Sequence, residues 1–133
     1  MYLNRLSNEQ KELFLDLCIH AAKADMDFGA EEKLIIEQYC EEMHIDVRMG
    51  EKSSFEEASQ KLLEISSPVE LRIILLEMAS LLFSDNEYSD EEKRFMDALA
   101  SRLGVDKQKL DEIFSALEEL TSIYAKVNEF VFG

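Results

Sequence analysis

Six acidic residues in two short segments are the side chains of this sequence best suited to hold a metal ion. They are Asp25, Asp27 and Glu32 in the first segment, and Asp85, Glu87 and Glu92 in the second. Carboxylate oxygens are hard ligands, and calcium and magnesium bind such ligands in proteins. The two segments together therefore form a candidate site for a weakly bound divalent cation.

The same carboxylates have a second interpretation, in which they only cap helices. A helix N-terminus presents unpaired N–H groups and a partial positive charge, and both favour an acidic acceptor. Ser89 and Glu92, for example, have the spacing of a capping box, in which side chain and backbone of the two residues bond reciprocally. Sequence alone leaves cation binding and capping open.

A calcium-binding EF-hand is excluded by counting along the two segments. The EF-hand loop needs glycine at its sixth position and a bidentate glutamate at its twelfth. Counting from Asp25 places Ala30 and Ile36 at these positions, and counting from Asp85 places Asp90 and Met96 there.

The cysteines and histidines offer a second, weaker candidate. Cys40 and His44 are one helical turn apart and could share a soft metal, with Cys18 and His20 as helpers. Buried free cysteines that only pack in the core are the more ordinary alternative. No nucleophile, base and orienting group can be assembled into a catalytic centre from this set, so we expect a protein that is not an enzyme.

Composition limits the classes of partner. The 133 residues include 29 Asp and Glu against 14 Lys and Arg, a net charge of -15 that would repel nucleic acid and anionic bilayers. The same charge favours another protein with a basic surface as the partner, and the alternative is that it only keeps the chain soluble. Two cysteines outside any disulfide framework, and the lack of a long apolar run, predict a soluble cytoplasmic chain without membrane insertion. The oligomeric state stays open.

Apolar residues recur at helical spacing, and the chain has only one proline and four glycines. We predict six helices in a compact all-α bundle, forming a single domain over residues 1–133. Capping residues place five of the starts near Ser7, Ser54, Ser67, Ser89 and Asp106, and the apolar pattern places the start of the second helix near Ala30.

Two of these predicted helices make further expectations possible. The fourth is apolar on most faces and should be central. The last, over about residues 107–131, should be a closing helix whose seam faces the core along its whole length. The residues of this seam are Leu110, Ile113, Leu117, Leu120, Tyr124, Val127 and Val131.

The chain also matches itself at an offset of sixty residues. Asp25 aligns with Asp85, and each is followed by an acid, an aromatic residue and a Glu-Glu-Lys run. Further on, Met43 aligns with Leu103. So much agreement in one register predicts two helix-loop-helix units, over approximately residues 13–45 and 73–105.

Each unit resembles the repeated signature of the tellurite-resistance TerB family and its TerB-like relatives. The residues that carry the resemblance are Ala21 or Ala22, Asp25, Phe28 and Glu32 in the first unit, and Asp85, Tyr88, Ser89 and Glu92 in the second. The glycine that follows the aspartate in the family is Met26 in one unit and Asn86 in the other. The resemblance implies a cytoplasmic bacterial stress-response module that acts through ion-linked protein contacts. The alternative is a helical scaffold whose acidic residues only cap helices.

Overall fold

The computed structural model of the chain describes residues 1–24, 30–83 and 89–133. Within these ranges the regular structure is entirely helical, with six α-helices, one short 3-10 helix (Leu3–Arg5) and no strand. The α-helices are α1 (Asn8–Ala24), α2 (Ala30–Met43), α3 (Phe55–Ile65), α4 (Pro68–Leu82), α5 (Asp90–Arg102) and α6 (Lys107–Phe132). The prediction of an all-helical chain with six helices is confirmed for these residues.

Reciprocal caps fix the starts of α1 and α4. At α1 the N–H of Ser7 donates to Gln10 Oε1 at 2.7 Å, and the N–H of Gln10 donates to Ser7 Oγ at 3.2 Å. At α4 the corresponding bonds join Ser67 and Glu70 at 2.8 and 3.2 Å, and Pro68 occupies the first turn. Each box satisfies two N–H groups that a helix start would otherwise leave unpaired.

Left-handed residues end α2 and α5. His44 has a φ of 59° and Gly104 a φ of 73°. In both places the following N–H donates to the carbonyl five residues earlier, at 3.1 Å after α2 and 2.9 Å after α5. Glycine adopts this conformation without steric cost, whereas a histidine does so less readily. Asp106 then caps α6 by accepting the N–H of Lys109 at 2.8 Å.

Two helices, α1 and α4, form the centre of the core. As expected, α4 is buried on most faces, and it contacts α1, α5 and α6. The sequence predicted only one buried stripe on α1, but six consecutive residues from Phe14 to Ile19 are buried. The reason is that α1 packs against four other helices, α2, α3, α4 and α5.

The expectation of a fully core-facing seam on α6 is wrong for its second half. Leu110 and Leu117 are buried, but Tyr124, Val127 and Val131 are between 51% and 62% exposed. With 26 residues, α6 is about 39 Å long, half as long again as the 17-residue α1. The helix therefore extends past the core, and its last turns have no underlying helix among the described residues.

Candidate functional site

Of the six predicted cation ligands, Glu92 has the most fully defined burial and hydrogen bonds among the described residues. It lies in the first turn of α5 and is only 9% exposed. Its Oε1 accepts the N–H of Ser89 at 3.0 Å, while its own N–H donates to Ser89 Oγ at 3.1 Å. The carboxylate therefore caps a helix, as the second interpretation of the acidic residues requires.

Glu32 occupies the third position of α2, as Glu92 occupies the third position of α5. Its side chain is half-buried, so both glutamates lie at the edge of the core, as predicted. The other four candidate ligands, Asp25, Asp27, Asp85 and Glu87, lie outside the described residues, as do the motif aromatics Phe28 and Tyr88. Residues 1–24, 30–83 and 89–133 contain no cluster of three or more His, Cys, Asp or Glu that could hold a metal. The six-residue cation site thus stays a prediction.

The cysteines lie in the core as free thiols. Cys18 and Cys40 are both buried, and burial raises the pKa of each thiol. A raised pKa keeps sulfur protonated at neutral pH, whereas metal ligation and nucleophilic attack need the thiolate. His20 Nε2 lies 2.8 Å from the carbonyl oxygen of Ser53, so its ring is engaged by the loop before α3. These contacts favour packing over the soft-metal alternative.

The exposed second half of α6 is the most conspicuous surface of the described chain. Its large apolar side chains are 51% to 91% exposed, and we call them the apolar end of α6: Ile123, Tyr124, Val127, Phe130, Val131 and Phe132. At 100° per residue they span more than half of the helix circumference, far wider than one coiled-coil seam. Despite this, no helix of the described ranges is both long and apolar enough to cross a membrane.

The sequence predicted only part of this surface. Tyr124, Val127 and Val131 belong to the predicted seam, but Ile123, Phe130 and Phe132 were not singled out. The missed signal is the width of the apolar face, because a helix that packs on one side only needs an apolar stripe of about 100°. The apolar face of the second half of α6 is about twice as wide as such a stripe.

Comparison with known proteins adds no relative: no family model, no curated protein and no solved structure matches this chain. Any assignment of function therefore depends on the residues themselves.

Proposed function

We propose that this chain is a non-enzymatic TerB-like module of the bacterial cytoplasm that binds another protein in a stress response. The observation that carries the protein-binding part of this proposal is the apolar end of α6. Exposed apolar surface of this extent is unusual on a monomeric protein and is typical of an interaction site. Phe130 and Phe132, at 91% and 85% exposure, would be its anchors.

The size of this surface suits a protein partner. Six side chains, three of them aromatic and all at least half exposed, present on the order of 700 Å² of surface. A stable protein–protein interface buries about 800 Å² on each partner. The surface is confined to one helix, so a partner helix that packs alongside α6 covers one stripe of it, and its full width accommodates more than one helix of the partner.

Charge narrows the chemistry of that partner. The chain carries a net charge of -15, and three exposed glutamates, Glu118, Glu119 and Glu129, outnumber the one exposed lysine, Lys126, beside the apolar end. We therefore infer an amphipathic partner helix with an apolar stripe and basic flanks. A second copy of this chain would bring another fifteen negative charges and is disfavoured on that ground.

Structural features that recur at the sixty-residue offset, within the two units and just before them, support the TerB-like part of the proposal. Three of them recur sixty residues apart: the capping boxes at Ser7 and Ser67, the starts of α2 and α5 at Ala30 and Asp90, and the left-handed residues at 44 and 104. Helix caps and left-handed ends are local features that a duplicated unit would repeat at one register.

A designed peptide pair tests the interaction. One labelled amphipathic helix carries leucines on one face and lysines beside them, and its control replaces each lysine with glutamate. We expect saturable anisotropy changes with the lysine peptide, loss of binding for Val127→Asp, and unchanged binding for the surface control Ser115→Asp. Equal binding of both peptides, or binding that Val127→Asp leaves intact, would contradict the proposal. Concentration-dependent dimerisation in sedimentation velocity would assign the surface to a second copy instead.

A structural scaffold is the second candidate, and one observation favours it. Glu92 is occupied in a capping box, which is what a purely structural role for the acidic residues requires. This alternative concerns the acidic segments and leaves the apolar end of α6 without a role. The interaction module gives the apolar end of α6 a role and is compatible with a capping Glu92, so it is our first choice.

A further inference from the structure

A groove beside the first half of α6 carries a local positive charge, whereas the protein as a whole is negative. Its apolar lining includes Val69, Ile73, Leu76 and Ile113, and its volume is about 340 Å³. Small-molecule sites are mostly apolar clefts of roughly 300–1,000 Å³ with a few polar groups that fix orientation, and this groove lies within that range.

Three cations surround this apolar lining, and each comes from a different part of the chain. Arg5 belongs to the 3-10 helix, Arg72 to α4 and Lys109 to α6. Glu112 is the one acidic residue among those described that line the groove. In a chain with twice as many acids as bases, a groove lined by three cations and one acid is locally positive.

The two arginines are available to a ligand. Neither Arg5 nor Arg72 forms an ion pair with another described residue. Lys109 Nζ lies 2.9 Å from Glu112 Oε2, but this pair is exposed, and an exposed pair is readily exchanged for another anion. Guanidinium groups present several N–H donors in a fixed plane that matches a carboxylate or phosphate.

We propose that this basic groove binds a small amphipathic anion, a molecule with an apolar body and a single carboxylate or phosphate head. The apolar body would lie along Ile73, Leu76 and Ile113, and the head would accept hydrogen bonds from Arg5 and Arg72. The net charge of -15 argues for a single anionic head, because a polyanionic peptide or nucleic acid would be repelled by the rest of the surface. The site is separate from the apolar end of α6 and does not depend on it.

Decanoate is a suitable probe, at concentrations below micelle formation, with decanol and decyltrimethylammonium as chain-matched neutral and cationic controls. We expect saturable binding of decanoate by calorimetry, at least tenfold weaker binding of the two controls, and weaker decanoate binding at high salt. The double variant Arg5→Gln, Arg72→Gln should weaken decanoate binding at least tenfold. Both arginines are exposed, so this variant should keep the parent's melting temperature.

Two matched variants complete the test. Arg94→Gln removes an exposed arginine of α5 that does not line the groove, and it should bind decanoate as the parent does. Val69→Gln adds a polar group to the groove and should weaken decanoate and decanol equally. The proposal is overturned if decanoate does not bind, if decanol binds as tightly, or if Arg94→Gln weakens binding as much as the double arginine variant.

Discussion

Arg48 Nη1 lies 2.7 Å from Asp16 Oδ1, and this ion pair joins the loop after α2 to the middle of the central helix α1. The Asp16 side chain is 3% exposed and that of Arg48 is 18% exposed. The carboxylate also accepts the N–H of Lys52 at 2.9 Å, and Arg48 donates to the carbonyl oxygens of Glu12 and Gly50. One buried carboxylate thus anchors residues 48–52 against α1.

Removal of the arginine should destabilise the fold strongly. Arg48→Met leaves the Asp16 carboxylate buried with only the Lys52 N–H, and such a loss costs about 3 kcal/mol. Lys23→Met is the matched control, because it breaks an exposed pair with Glu51 at the same 2.7 Å separation and should cost far less. Urea unfolding of the two variants measures the difference, and equal losses would refute a structural role for the Asp16–Arg48 pair.

The cap of α5 predicts a smaller effect. Ser89→Ala removes the Oγ that accepts the N–H of Glu92 and should lower the free energy of unfolding by about 1 kcal/mol. Ser122→Ala, on the exposed surface of α6, is the control and should not destabilise, since alanine favours a helix interior. Identical unfolding curves for Ser89→Ala and the parent would mean that this cap does not hold the start of α5.

The two halves of α6 should respond differently to truncation of seam residues. Leu117 is 8% exposed, and Leu117→Ala should cost about 2–4 kcal/mol because it opens a cavity in the core. Val127 is 51% exposed, and Val127→Ala should change stability by less than about 0.5 kcal/mol. A large loss for Val127→Ala, measured by urea unfolding, would show that the second half of α6 is covered in the isolated chain.

Helix starts were predictable from sequence because caps are local. Ser67, Pro68 and Glu70 specify the start of α4 through contacts within four residues, whatever the rest of the chain does. The central position of α4 was predictable for a similar reason, because a helix that is apolar on most faces has to be buried by other helices.

Contacts between distant segments were not predictable in this way. The burial of Asp16 depends on Arg48, thirty-two residues later, and spacing within α1 gives no sign of it. The end of the core along α6 is likewise set by the lengths of the helices beneath it. The 3–4 spacing from Leu110 to Val131 is the same whether or not another helix lies below.

The buried thiol of Cys18 should make the free energy of unfolding fall as the pH rises above about 9. Burial, with smaller contributions from Cys40 and Glu77, raises the pKa of this thiol well above its usual value of 9.0. The unfolded chain therefore loses this proton first, so the contribution to stability is complete below about pH 9 and is lost as the pH rises towards the folded-state pKa. Between about pH 8 and pH 10, the parent should lose about 1 kcal/mol more than Cys18→Ala in urea unfolding. Equal losses would mean that this thiol is not held neutral by the fold.

Divalent cations provide the test of the acidic segments. If Asp25, Asp85 and their neighbours hold an ion, calcium or magnesium should stabilise the chain by about 2.7 kcal/mol at a hundred times the dissociation constant, and further as the logarithm of concentration. The double variant Asp25→Asn, Asp85→Asn should lose this response.

The control Asp46→Asn, Asp111→Asn changes the net charge equally at exposed positions and should keep the response to the cation. Sodium at matched ionic strength separates site binding from screening, which weakens repulsion without saturating at low concentration. Absence of both saturable heat and a variant-sensitive melting shift would leave capping, as Glu92 performs it, as the sufficient role of these carboxylates. The scaffold interpretation of the acidic segments would then replace the ion-linked one.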